Sequence, residues 1–274
     1  MTPIVKICGL STQATLDAAL DAGADMVGFV FFPKSPRHID WATARTLGRQ
    51  AEGRAKIVAL SVDANDDTLR RIVDALSPDL MQLHGSETPA RVKEIGELFA
   101  RPTMKAIGVA TRADLAGAEA YEGVADLLLI DAKPPKGAAL PGGNGRPFDW
   151  DLTRDFRSSI PWLLSGGLDP DSVAAAIALS GAGGVDVSSG VESAPGVKDP
   201  ARIRSFVAAA RRAFAREEIA FADAVHSPSA DGRPSGRPLD RVSALRSPSK
   251  DGRSSERPFG RGYNPRQPGP EQRK

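Results

Sequence analysis

Eight short apolar runs, rich in β-branched residues, are the feature that most constrains this chain. They lie at residues 4–8, 26–32, 56–62, 80–84, 104–109, 127–131, 162–165 and 184–188. Between them stand segments with helical spacing at 12–21, 41–50, 66–76, 88–98, 112–120, 171–179 and 200–215, with a shorter and weaker candidate at 148–157. Continuous apolar runs suit strands of a parallel sheet covered on both faces. Ser11 or Thr12, Asp40, Thr111 and Asp169-Pro170 mark helix starts, as N-caps or as a first-turn proline. Eight strand–helix units predict an α/β protein, a (β/α)8 or TIM barrel, over residues 1–215. A doubly wound sheet is the rival. It usually has fewer strands and a phosphate loop after the first, yet Lys6-Ile7-Cys8-Gly9-Leu10 contains no Gly-x-Gly-x-x-Gly.

Residues 216–274 read as the end of the last helix followed by a disordered tail. From 226 onward 8 Pro, 6 Gly and 8 Ser make up 22 of 49 residues, leaving too little apolar surface to offset the entropy of ordering. Charge shifts at the same place. Residues 1–225 carry 25 Lys+Arg and 29 Asp+Glu (net −4), and 226–274 carry 11 and 5 (net +6), which sum to the +2 of the chain. Residues 227–238 and 247–258 agree at 9 of 12 positions with an offset of 20, but two polar copies cannot stack a core. They read as a duplicated solvated linker, or else as a weak basic arm.

Composition removes several classes. A single cysteine excludes an intramolecular disulfide framework and cysteine-rich metal sites. His38, His84 and His226 show no metal-ligand spacing, so no metal is expected. No secretory leader is visible, and the longest apolar run, 26–33, is too short to span a bilayer. The slightly acidic core gives no reason to expect nucleic acid. A soluble, cytoplasmic protein is expected, with no membrane partner; monomer and homodimer both stay open.

Barrel chemistry sits at the C-terminal ends of the strands. There, Ser165-Gly166-Gly167-Leu168 and Ser188-Ser189-Gly190 could cradle a phosphate with backbone N–H groups and hydroxyls, or simply make tight turns. Cys8 is buried filler or a general base. An unperturbed thiol is roughly 5–10% ionised at cytoplasmic pH, and Lys6 on the same strand face would raise that fraction. Asp131 either caps a turn or is a carboxyl in a pocket. The long Gly/Pro-rich loop 132–146 behind it reads as a lid or a disordered insert. Arg37 is a surface residue or a bidentate grip on a carboxylate, and His84 a core histidine or part of the pocket.

Together these stretches resemble the phosphoribosylanthranilate isomerase family of tryptophan biosynthesis. The matching segments are Lys6-Ile7-Cys8-Gly9, Gly28-Phe29-Val30-Phe31 through Ser35-Pro36-Arg37, Gln82-Leu83-His84-Gly85, Leu129-Ile130-Asp131, Ser165-Gly166-Gly167-Leu168 and Asp186-Val187-Ser188-Ser189-Gly190-Val191-Glu192. They fall in order across residues 3–213, and the tail lies outside the pattern. The resemblance implies an Amadori rearrangement of a phosphosugar, N-(5′-phosphoribosyl)anthranilate, without a cofactor. It implies Asp131 as general acid, Cys8 as general base and Arg37 on the anthranilate carboxylate. Gly166, Gly167, Ser188, Ser189 and Gly190 would hold the phosphate, with His84 and Asp186 lining the pocket. Two other phosphate-binding barrels fit less well. The histidine-pathway isomerase would use two aspartates, and indole-glycerol-phosphate synthase a lysine–glutamate set. A catalytically silent phospho-ligand barrel would not need Cys8 and Asp131 together.

Overall fold

A computed structural model describes residues 2–133, 142 and 148–226. Most of the expected lid at 132–146 and the whole repeat-bearing stretch 227–274 lie outside the described residues. Eight parallel strands close into a barrel in sequence order, β8 pairing back onto β1. They are β1 (Ile4–Cys8), β2 (Met26–Phe31), β3 (Lys56–Ser61), β4 (Leu80–Leu83), β5 (Thr103–Val109), β6 (Leu127–Ala132), β7 (Trp162–Leu164) and β8 (Gly184–Val187). The connecting helices are α1 (Gln13–Asp21), α2 (Trp41–Ala51), α3 (Asp66–Leu76), α4 (Pro89–Phe99), α5 (Arg112–Leu115), α6 (Val173–Ser180) and α7 (Pro200–His226).

Helix starts follow from local hydrogen bonding. Asp40 accepts from the N–H groups of Ala42 and Thr43, Asn65 from Thr68, and Thr88 from Arg91 with Pro89 following it. Three starts or spans differ from the sequence reading. The helix expected from Asp169-Pro170 begins only at Val173. Asp169 instead accepts from the N–H groups of Asp171 and Ser172 and holds the turn before it. The helix expected over 112–120 is one turn, α5, running into a 3-10 segment at Ala116–Tyr121, because only Leu115 and Ala118 are buried and the apolar stripe is narrow. The candidate at 148–157 is a 3-10 turn at Trp150–Thr153. At the far end, α7 continues past Ala215 to His226, through Ala, Arg and Glu that favour helix.

Side chains alternate between the barrel interior and the helix layer. Outward residues such as Ile7, Phe29, Ile130 and Val185 join Leu16, Ile72, Ile95 and Phe206 of the helices in one large core. Inside, Met26, Val58, Leu80, Met104, Leu127, Leu129 and Leu163 form an apolar plug. One strand step further towards the C-terminal mouth, the interior turns polar with Lys6, Gln82 and Asp186, all buried. Cys8, Val30 and Leu60, with Phe32 and Val62, form an apolar patch beyond that. A small antiparallel hairpin, β9 (Glu192–Ala194) with β10 (Val197–Lys198), follows β8. The sequence reading did not anticipate it, although Pro195-Gly196 is a turn signal. Among the described residues no helix is long and apolar enough to cross a membrane.

Candidate active site

Every site residue expected from the sequence lies at or just beyond the C-terminal end of a strand. Cys8 ends β1, Asp131 lies in β6, Asp186 in β8, and His84 directly follows β4. Arg37 stands in the loop after β2, Gly166 and Gly167 follow β7, and Ser188, Ser189 and Gly190 follow β8. Residues far apart in sequence are thus gathered around one opening by the closure of the barrel.

Cys8 is 3% exposed and faces the interior patch with Val30 and Leu60. Burial pushes its thiol above the ordinary value, and the Lys6 ammonium works against this without cancelling it. The expected cation-assisted thiolate is therefore outweighed by desolvation. Lys6 is itself committed to Asp186, Nζ to Oδ1 at 2.7 Å, with 0% and 5% of the two side chains exposed. Burial pulls the Lys6 ammonium down, but Asp186 and Cys8 more than offset it, so it titrates above an ordinary lysine. Ser165 Oγ donates to the other Asp186 oxygen at 3.4 Å, tying the loop after β7 to the pair.

Across the mouth, Asp131 Oδ2 lies 3.3 Å from His84 Nε2, and Asp131 Oδ1 accepts from the Ala132 N–H at 2.8 Å. The Gln82 amide nitrogen is 2.9 Å from His84 Nδ1. Gln82 and Asp131 thus meet the imidazole at its two ring nitrogens and fix the ring between them. Gly142 packs against both groups: a side-chain carbon there would collide with His84 Nε2 and stand 2.8 Å from Asp131 Oδ2. No larger residue fits without moving the pair.

The two glycine-rich loops are built against each other. Gly166 and Gly167 both have positive φ, +88° and +69°, and Trp150 Nε1 donates to the Gly166 carbonyl at 3.3 Å. Among the described residues neither Gly166 N–H nor Gly167 N–H finds an acceptor, which leaves two backbone donors at the mouth. Gly190, in the 3-10 turn Ser189–Val191, packs so tightly under the Leu168 carbonyl that any Cβ there would overlap it. Ser188 Oγ is turned inward and donates to the Cys8 carbonyl at 3.2 Å.

Arg37 departs most from expectation. Rather than standing open, its guanidinium is 7% exposed and grips a carboxylate of the protein, Glu192, through Nε at 2.7 Å and through its second terminal nitrogen at 2.9 Å. Glu192 appeared in the sequence only as the end of a matching stretch. Lys198, which reaches the same carboxylate at 2.7 Å, was not singled out at all. No group of three His, Cys, Asp or Glu among the described residues is placed to hold a metal ion.

A closed parallel barrel with a thiol, a carboxyl and glycine-rich loops around its C-terminal mouth defines a (β/α)8-barrel enzyme. The family described as N-(5′-phosphoribosyl)anthranilate (PRA) isomerase matches residues 5–209. An N-(5′-phosphoribosyl)anthranilate isomerase from Bradyrhizobium diazoefficiens is 60% identical over 211 residues, covering 77% of this chain and 95% of that protein. Among solved structures, the phosphoribosyl anthranilate isomerase of Thermotoga maritima aligns with a TM-score of 0.69 at 33% identity, over 77% of this chain and 99% of that one. A structure of such an isomerase in complex with reduced 1-(o-carboxyphenylamino)-1-deoxyribulose 5-phosphate aligns with a TM-score of 0.65 and the same identity and coverage. The chain belongs to the phosphoribosylanthranilate isomerase family, and it is an isomerase.

Proposed function

We propose that this site converts N-(5′-phosphoribosyl)anthranilate to 1-(2-carboxyphenylamino)-1-deoxyribulose 5-phosphate, a step of tryptophan biosynthesis, with Asp131 as general acid and Cys8 as general base. The observation that carries the assignment is the placement of one carboxyl and one thiol on separate sides of a single mouth, on β6 and β1, with phosphate-type loops on the strands between them. Asp131 protonates the ribose ring oxygen, the C1′–O4′ bond breaks, and the sugar opens to a Schiff base. Cys8 then takes the C2′ proton to give an enolamine, which tautomerises to the ketone. One proton is given and one taken, so the step is redox-neutral and calls for no cofactor. Each placed group contributes on the order of 10²–10⁴-fold.

The surroundings support these roles. Gly166, Gly167, Ser189 and Gly190 offer backbone donors for the phosphate, with Ser188 holding the second loop against β1. Arg37 holds the anthranilate carboxylate, and Val30, Leu60, Phe32 and Val62 beside Cys8 form an apolar wall suited to the aromatic ring. His84 and Asp186 act on the two proton-transfer groups rather than on the sugar, His84 by contacting Asp131 and Asp186 by holding Lys6 beside Cys8. A reaction that needs a free thiol suits a reducing compartment, so we place the enzyme in the cytoplasm.

The test is loss of anthranilate-type fluorescence when the substrate, generated in situ, meets the purified full chain. Asp131→Asn should keep binding and lose at least ~10²-fold in kcat, and Cys8→Ala should lose at least as much. Retention of most activity in either variant removes that residue's role; no turnover by the wild type removes the reaction.

A further inference from the structure

The hairpin β9–β10 brings two buried ionisable groups to the mouth that neither give nor take a proton in the reaction. Glu192 is 7% and Lys198 6% exposed. The Glu192 carboxylate accepts from Arg37 at both oxygens, from Lys198 Nζ at 2.7 Å and from the Gly196 N–H at 3.2 Å. All three Lys198 protons have acceptors, since Nζ also meets the Ser188 carbonyl at 2.8 Å and Ser188 Oγ at 3.1 Å. The turn of the hairpin packs on Pro36, directly before Arg37. Arg202 donates to the Glu192 carbonyl at 2.8 Å and anchors the hairpin to α7.

A continuous chain of charge-assisted hydrogen bonds therefore runs from Arg37 through Glu192 and Lys198 to Ser188. It joins the loop after β2 to the loop after β8. Burying such groups carries a heavy desolvation cost, and well-packed apolar residues would generally hold a hairpin as firmly. Burial also pulls the Lys198 ammonium below its ordinary value, with Glu192 restoring only part. A cation kept under that strain needs a reason beyond packing. The chain's two ends are the two places where a substrate carrying a carboxylate and a phosphate would be held.

We propose that Lys198 is a positioning residue that couples the carboxylate grip at Arg37 to the phosphate-side loop at Ser188, so that both anionic ends of the substrate are read by one connected network. The inference rests on the substrate named above. Losing Lys198 removes the donor shared by Glu192 and Ser188, so that Arg37 and the loop after β8 can shift independently. Ground-state binding suffers at both ends, while turnover loses only the small help that the Lys198 charge gives the Cys8 thiolate beside that of Lys6.

The experiment compares the full-length wild type, Lys198→Met and the double variant Lys198→Met/Glu192→Gln. It measures kcat, KM, and competitive inhibition by inorganic phosphate and, separately, by anthranilate. Lys198→Met should raise KM about tenfold or more and weaken both inhibitors, with kcat within about threefold of the wild type. Glu192 keeps its Arg37 partner in the single variant, and the double variant weakens that pair too, so it should raise KM at least as far. If Lys198→Met does not fold, Lys198→Gln, which removes the charge but keeps a donor, carries the same measurements. An unchanged KM in a folded variant, or weakening of only one inhibitor, overturns the coupling. So does a lowered melting temperature with all binding constants intact. A wild type that does not turn over the substrate overturns the functional reading instead, and calorimetric binding of phosphate and anthranilate to the same proteins still decides the coupling.

Discussion

At the mouth of the barrel, the same side chain behaves differently according to what surrounds it. Cys8 shows this best. Its position at a strand end before Gly9 was legible in the sequence, but the degree of its burial was not, and burial decides its protonation. Because the base must be deprotonated and desolvation holds the thiol above its usual value, the active fraction grows on the alkaline side. We expect the rate at which iodoacetamide alkylates Cys8, the one thiol of the chain, to climb steadily from pH 7 to pH 9 as the thiolate forms; a rate already level by pH 8 would mean that burial does not hold this thiol up. Lys6 gives a second expectation. Lys6→Met leaves Asp186 charged, buried and unpaired, which should cost about 3–5 kcal/mol in urea unfolding. The sign of the pH effect follows from the raised lysine: the pair's stabilisation is complete below the unfolded lysine pKa of about 10.4 and is lost as pH rises through the higher folded value. A Lys6→Met protein as stable as the wild type would refute the cost assigned to leaving Asp186 without its partner. Glu192 and Lys198 escaped the sequence reading for a simple reason. Arg37 and Glu192 stand 155 residues apart, and nothing local in either segment announces the pairing.

Elements were readable where a periodic apolar pattern and a cap agreed. Helix α3 has Asn65 before it, Asp66 and Asp67 in its first turn, and four buried residues on one face, and it falls where the spacing put it. All eight strands are recognisable to within a residue at either end, because a buried parallel strand advertises itself as an unbroken apolar run. The pattern fails where an element is short or half-exposed. The segments after β5 and β6 bury too little to sustain a helix, and a hairpin of three plus two residues is below the length at which alternation is visible. The glycine-rich loops were legible as motifs, although their mutual packing was not. Gly190→Ala tests that packing directly. The added methyl must push the 3-10 turn away from the Leu168 carbonyl, so the melting temperature should fall and inhibition by inorganic phosphate should weaken together. A variant that binds phosphate as the wild type does would show that the loops do not act as one site.

For the molecule as a whole, the family match ends at residue 209, and among the residues whose burial is described, 2–133, 142 and 148–220, the last buried side chain is Phe214. Every polar group given a role above stands at or before Arg202. Ending the chain after His226 should therefore leave kcat, KM and melting temperature unchanged, and a truncated protein that melts early would extend the folded unit beyond α7. The barrel was legible because its pattern repeats eight times; the hairpin arm occurs once and has no repeat to betray it. The order of closure has one further consequence. Strand β1 gains its second neighbour only when β8 pairs with it, and Lys6 meets Asp186, and Cys8 meets Ser188, across 180 residues. A chain emerging from the ribosome must keep its first strand half-paired until nearly the whole barrel has been made, and every nascent length short of β8 lacks both the seam and the site.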